Sequence, residues 1–297
     1  MTVGAQQLPR AGGLASLAPQ KADMGTAATS LLRPLTKSGL SDLMDGVLRP
    51  DLWGRLGWLE VKRRYRRTVI GPFWSVISLA VFVITIGTVG ASLWNQDVVE
   101  YLPYLTAGMV VWLMISACVN EACTVFVANA NLYRTARFDF SLLIYALVWR
   151  NLIVFLHQLM VYTLIVVVLA PHILSAATLL VVPGLLLLLI NGVWVTLLLG
   201  MLCLRFRDVQ QLMGNVMQIA MLITPIFWPL EQLKGAVQLA FVHFNPLYHC
   251  IEVVRAPLLG KVPTPGSYLA VIAIALVGWA ITHLLFSRFR KRITYWS

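Results

Sequence analysis

Lys62–Trp74 reads KRRYRRTVIGPFW, and this stretch decides the fold. Five of the six residues from Lys62 to Arg67 are cationic, and the next 29, Thr68 to Gln96, carry no charge. A hydrocarbon core about 30 Å thick needs roughly 20 uncharged helical residues to cross it. The junction is therefore where the chain enters a bilayer. The whole sequence agrees, being 59% hydrophobic and 12% charged with mean hydropathy +0.79. Soluble domains carry about 25% charged residues, so that class is excluded.

Working outward, runs without Asp, Glu, Lys or Arg cover 68–96, 101–120, 151–204, 209–230 and 262–287. The run 151–204 is long enough for two spans, with Pro171-His172 as a turn. Six helices are predicted, near 73–94, 102–126, 146–170, 176–202, 211–229 and 267–287. None of the runs alternates polar with apolar residues, and backbone amides in lipid must be satisfied within their own segment, which favours helices over a barrel. The predicted fold class is thus an all-α integral membrane protein with six transmembrane helices.

On that layout 20 of the 23 Lys and Arg residues lie on one side, and only Lys234, Arg255 and Lys261 on the other. The positive-inside rule then places both termini in the cytoplasm. The net charge of +11 is explained by this placement, so no nucleic-acid partner is expected. The cysteines Cys118, Cys123, Cys203 and Cys250 form no Cys-x-x-Cys pair and read as buried apolar thiols. Residues 1–50 show no cleavable signal peptide and read as a disordered cytoplasmic tail.

Between tail and first span, residues 51–67 are predicted to form a cytoplasmic interfacial helix. Leu52, Leu56 and Leu59 share one face, and Trp58, Val61 and Tyr65 nearly the opposite one, a pattern for touching lipid on one side and protein on the other. A juxtamembrane basic patch holding anionic lipid is the simpler alternative. The segment 232–262 is harder to place. Residues 235–251 are uncharged, but Asn245-Pro246 divides them into halves too short to cross. Two re-entrant half-helices between spans five and six account for that length, and a surface-lying amphipathic loop is the alternative.

Chemical motifs are scarce. There is no Gly-x-x-x-x-Gly-Lys-Ser/Thr phosphate loop, no histidine pair at metal-ligand spacing, and no Gly-x-Ser-x-Gly elbow. Glu121 is the one acid inside a predicted span; it either reaches out of the membrane or pairs with a basic residue. Aromatics abound, with 10 Trp, 9 Tyr and 12 Phe. Many suit interfacial belts. Phe82, Trp112 and Trp194 lie deeper, and with Phe227 and Trp228 they are candidates for lining a path for sugars.

KRRYRRTVIGPFW resembles the Arg-Tyr-Arg-x-Ser/Thr-x-Leu-Gly-Pro-x-Trp motif of polysaccharide-export permeases of the type-two ABC transporter superfamily, most of all the O-antigen (Wzm-like) branch. WRNLIVFLHQ (149–158), RFRDVQQ (205–211) and NPLYHCIEVVRAPLLG (245–260) follow in the family's order, and the resemblance spans roughly residues 50–297. It implies a permease domain over 51–297 in the bacterial inner membrane. The permease would pair with a second copy of itself and with two ATP-binding subunits, and it would export a lipid-linked polysaccharide, O-antigen above all. ATP and Mg would be bound by the partner subunit, with no cofactor on this chain and no catalytic or metal site. Capsule, teichoic acid or small-molecule export is the alternative within the family, and secondary transport lies outside it.

By position in the family's motifs, Arg64, Arg66, Arg67, Asn131, Arg134, Asp139, Arg205 and Asp208 would couple to the ATPase. Asn245, Pro246, Glu252 and Arg255 would form an outer gate, with Glu252 and Arg255 close enough in sequence to pair on one helix face. The chain departs from the family in the first cytoplasmic loop. Where relatives carry a Phe-Pro-Arg/Lys-Glu-like run, it reads Arg137-Phe138-Asp139-Phe140-Ser141.

Overall fold

Long uncharged runs leave the backbone no partner in lipid but itself, and they become helices here. The computed structural model describes residues 39–66, 68–131, 139–229, 235 and 239–296, all within one unit, Ser38–Ser297. Among these residues the regular structure is wholly helical, and five helices are long and apolar enough to cross a membrane. In chain order the elements are α1 (Gly39–Val47), α2 (Pro50–Arg64), α3 (Phe73–Trp94), α4 (Val98–Ala122), a short α5 (Val125–Ala128) and α6 (Phe140–Leu169). After the single-turn helices Pro171–Ile173 and Ala176–Leu180 come α7 (Val181–Arg205) and α8 (Asp208–Ile223). A π-helical turn (Leu239–His243), α9 (Pro246–Leu258) and α10 (Pro265–Trp296) complete it.

The spans are α3, α4, α6, α7 with the turn before it, and α10. Arg64, Arg150, Arg205 and Arg290 mark one end of the bundle, called here the basic end. The opposite, far end carries the connections α3–α4 and α6–α7.

Local chemistry sets the boundaries. At the far end α3 stops at Asn95, whose φ of 51° is left-handed and whose N–H bonds to Ala91. The Asp97 carboxylate then accepts from the Val99 N–H at 2.9 Å and opens α4, a usual N-cap arrangement. Ser175 and Thr178 form a capping box in the α6–α7 connection, so the turn predicted at Pro171-His172 is present.

α4 is the central helix. In its most apolar stretch 72% of residues are buried, against 28% in α3. Leu105, Val110, Val111 and Trp112 meet Phe155 and Val166 of α6 and Ile251 and Val253 of α9 in one apolar cluster. A second cluster at the basic end joins Leu43, Phe126, Phe140, Ile144, Leu197 and Phe286. Lipid tails are as apolar as these side chains, so association rests on close packing and polar contacts rather than on hydrophobic burial. Gly184 of α7 illustrates this, since a Cβ there would stand 2.2 Å from the Val253 carbonyl oxygen.

Three sequence expectations change. The disordered tail predicted for 1–50 gives way to α1, where Asp42 is 0% exposed. Its carboxylate accepts from Arg290 Nε at 2.8 Å and from the Ser141 N–H at 3.2 Å. Residues 1–38 lie outside the described residues.

The interfacial helix runs over Pro50–Arg64 rather than 51–67. Its protein face is Trp53, Gly57, Glu60 and Val61, while Trp58 is exposed. A Cβ on Gly57 would come within 2.8 Å of the Ala146 carbonyl oxygen, so contact with α6 runs through a residue that has no side chain to mark it.

The helix predicted over 211–229 stops at Ile223. Pro225 cannot donate and pushes the residue before it into extended backbone, and Thr224 has φ −79° and ψ 136°. At 16 residues α8 is about 24 Å long.

Candidate functional site

At the basic end α2, α4 and α6 meet in a four-residue ion network. Glu121, at the end of α4, accepts from Arg64 of α2, from Arg150 Nη2 at 2.6 Å and from Asn151 Nδ2 at 3.0 Å. Arg150 also donates to Glu60 of α2. The side chains of Arg150, Glu60 and Glu121 are 13%, 16% and 21% exposed, and that of Arg64 45%. Burial raises the Glu60 carboxyl above its usual range, with Arg150 pulling the other way and Glu121 adding to the rise. Burial works to lower the Arg64 guanidinium, but its bond to Glu121 prevails and leaves it raised. Apolar and aromatic contacts extend the joint, with Trp53 edge-on to Trp149 at 5.6 Å.

Of the residues predicted to couple to an ATPase, Arg64 enters this network. Arg66 and Asn131 are exposed. Asp139 is buried at the N-cap position of α6, where a negative charge suits the helix dipole. Arg205 and Asp208 flank the tight α7–α8 turn, with the Arg205 guanidinium 5.3 Å from the Phe206 ring centre. Arg67 and Arg134 lie outside the described residues. Glu60 and Arg150 were missed. Their signal was present, because Glu60 sits one helical turn before Arg64 and Arg150 lies in the WRN motif beside the only acid of α4's basic half.

A second polar cluster is built around Arg255 of α9, which is 1% exposed. Its Nε and Nη2 donate to Glu252 at 3.0 and 2.7 Å, and Nη1 donates to the Pro225 carbonyl at 2.5 Å. The guanidinium also lies 4.6 Å from the Tyr104 ring centre. The Glu252–Arg255 pair expected from the spacing is thus present. Tyr104 donates to the Pro225 carbonyl at 3.0 Å, and Tyr101 donates to the carbonyl of Phe227. The backbone that follows α8 is thereby pinned to α4 through carbonyls freed when the helix ended.

Asn245 caps α9, accepting from Leu247 N–H at 3.0 Å and donating to Thr224 Oγ1 at 3.0 Å, and Pro246 takes the first helical position. Two residues past the end of α9 the chain turns at Gly260, φ 71°, where a Cβ would stand 2.2 Å from the Ile173 carbonyl oxygen. Beside Arg255 a cavity of about 470 Å³ opens, lined by Glu100, Tyr104, His172, Glu252 and Lys261 among others.

The predicted path residues separate. Trp112 is 2% exposed inside the main apolar cluster. Trp194 lines an apolar cavity of about 260 Å³, and its indole N–H donates to Asn191 at 2.9 Å. Phe82 is 37% exposed and meets Phe227 edge-on at 6.2 Å. Trp228 is half-buried and donates to the Leu222 carbonyl at 3.1 Å.

Five apolar spans, a basic-end helix locked to two of them by shared ion pairs, and a buried arginine brace at the far end define a multi-pass permease domain. The family described as ABC-2 type transporter matches residues 52–259. The chain belongs to that family, whose members are membrane permease domains rather than ATPases and work with ATP-binding subunits. No curated protein matches the chain. The matched residues include both ion clusters and leave out α1 and α10, and so the Asp42–Arg290 pair.

Proposed function

We propose that this chain is the transmembrane half of an exporter that moves a lipid-linked polysaccharide, an O-antigen, across the bacterial inner membrane. Two copies form the conduit, and two ATP-binding subunits, which hold ATP and Mg, dock at the basic end on the cytoplasmic side. The observation that carries the reading is the Glu60–Arg64–Glu121–Arg150 network. A push on α2 from a nucleotide-driven subunit passes directly to α4 and α6 through charges that are only partly hydrated. Family membership supports the ATP-driven mechanism, and the four motif stretches support a polysaccharide as cargo.

Two further features support the six-span layout with a re-entrant outer segment. α8 leaves the basic end at Asp208, and the backbone after it reaches Tyr104 and Tyr101 near the far end of α4, so Asp208–Pro229 makes the remaining crossing. The N-terminal Pro246 of α9 shares a cavity with Met114 and Cys118 of α4, while its C-terminal turn meets Ile173 at the far end. α9 therefore climbs from within the membrane to the outer surface and serves, with Asn245, Glu252 and Arg255, as an outer gate.

Co-purification from native membranes in mild detergent tests this reading. An ATP-binding subunit recovered at one copy per permease, with loss of surface polysaccharide when the chain is deleted, is expected. A chain that purifies without any ATPase under conditions that keep other ABC complexes whole overturns it.

A further inference from the structure

α8 presents an unusual outer face. At about 100° per residue, Gln211, Asn215 and Gln218 fall within roughly 60° of one another on the helix circumference. All three are exposed, and none of their side-chain amides makes a hydrogen bond among the described residues. Met217, the buried residue of α8, lies on nearly the opposite side. The amides thus point away from the body of the protomer. Leu222, exposed on the same sector one turn beyond Gln218, ends the polar run, and the neighbouring exposed sector carries Leu212, Val216, Ile219 and Ile223.

Depth makes this costly. α8 starts at the charged turn Arg205–Asp208, so Asn215 stands about 10 Å and Gln218 about 15 Å along the helix from that boundary. An amide in hydrocarbon without a partner costs several kcal/mol, and the short Asn215 side chain cannot extend to the headgroups. The apolar sector supplies a surface that lipid or a protein neighbour accepts; the amide sector does not. α4, against which α8 packs, also presents Ser116 and the exposed Asn120 in its basic half.

We propose that Gln211, Asn215 and Gln218 form an amide ladder lining a water-filled conduit, where they hydrogen-bond the hydroxyls of a passing glycan. The proposal rests on the exporter reading above. A carboxamide both donates and accepts, so it meets a sugar hydroxyl in either orientation. Three such groups on successive turns offer the next site before the last is released, holding a polymer without gripping one sugar sequence. Charged groups in the same place would bind fixed ions and the ladder would lose this tolerance.

The test places single cysteines in the full-length chain at Gln211→Cys, Asn215→Cys and Gln218→Cys, with Leu212→Cys and Ile219→Cys as controls. The four native cysteines are buried and give a low background. Membranes are treated from each side with a charged, membrane-impermeant methanethiosulfonate reagent, and labelling is read by intact-mass spectrometry. Faster labelling at the three amide positions than at the two controls is expected. Equal labelling of both sectors overturns the proposal. So does oxidative cross-linking between copies at position 218 without labelling, the signature of a dry contact between copies.

A second measurement addresses the glycan itself. The triple variant Gln211→Leu, Asn215→Leu, Gln218→Leu should lower export about tenfold, as expected for lost hydrogen bonds, while Gln218→Asn keeps it. Unchanged export in a triple variant that still recovers its ATP-binding subunit overturns the glycan contact. The cysteine labelling needs neither export nor that subunit, so it separates failure of the ladder from failure of the exporter reading.

Discussion

Arg150 and Arg255 are both arginines removed from bulk water beside a glutamate, yet they are built for different work. Arg150 takes its two carboxylates from two other helices, Glu60 of α2 and Glu121 of α4. Arg255 takes Glu252 from one turn earlier on its own helix, and an already pinned carbonyl, Pro225, completes its bonds. Moving α2 must therefore rearrange the first set. The second set moves with α9 and the backbone after α8 as one piece. An ion pair shared between elements transmits displacement, and an ion pair within an element resists it.

Arg150→Met tests the contrast most severely. It takes away the arginine bonded to Glu60 and leaves Glu121 to Arg64 and Asn151 in a partly buried site, with an expected loss of about 3–5 kcal/mol. Thermal unfolding in lipid nanodiscs measures it, and adding Glu60→Gln should restore part of the loss. A change confined to local order around α9 would show that the two arginines had been ranked wrongly.

Arg255→Lys comes next, at about 1.5–3 kcal/mol, because an ammonium keeps the charge but cannot span Glu252 and the Pro225 carbonyl together. Recovery of the ATP-binding subunit should be unaffected, since nothing at the basic end changes. Gly260→Ala should cost about 1–2 kcal/mol for the left-handed backbone, with the Ile173 carbonyl contact adding to it, again read by thermal unfolding.

Glu60→Gln should have the smallest effect at neutral pH, under about 1 kcal/mol, because the ionised Glu60 already bears a burial cost. Its value lies in the pH profile. The folded state holds this proton more tightly than the unfolded chain does, since its pKa is raised. Stability from Glu60 is therefore fully present below the unfolded value and lost as pH rises through the raised folded one. Acidification from neutral pH should stabilise the wild type relative to Glu60→Gln, and a parallel profile for the two would show that pairing with Arg150 offsets the burial of Glu60 in full.

Uncharged runs made most of this fold legible, because lipid punishes a charge in a span wherever it falls. α3, α4, α6, α7 and α10 lie where those runs lie. Pro225 was a visible reason for α8 to stop at Ile223, but uninterrupted hydropathy to Pro229 masked it. The interfacial helix was legible in position and not in facing. Its docking side passes through Gly57 and Glu60, which carry no apolar signal, so two apolar stripes left open which side meets protein. The Glu252–Arg255 pair was readable because it is local. Glu60 and Arg150 each stand in a marked stretch, but their pairing crosses 90 residues of sequence, and no helical period reports that they meet.

The Asp42–Arg290 bond is the extreme of that kind, joining residues 248 apart. Translation proceeds at about 5–20 residues per second, so Asp42 exists for roughly 12–50 s before its partner is made. Throughout that interval α1 has an acid and no base to meet it, and the second apolar cluster lacks Phe286 and Ile293. The bond is therefore among the last to form in each copy's biogenesis. A nascent chain that stalls or loses its final helix retains an open seam at the basic end, which an intact one has closed.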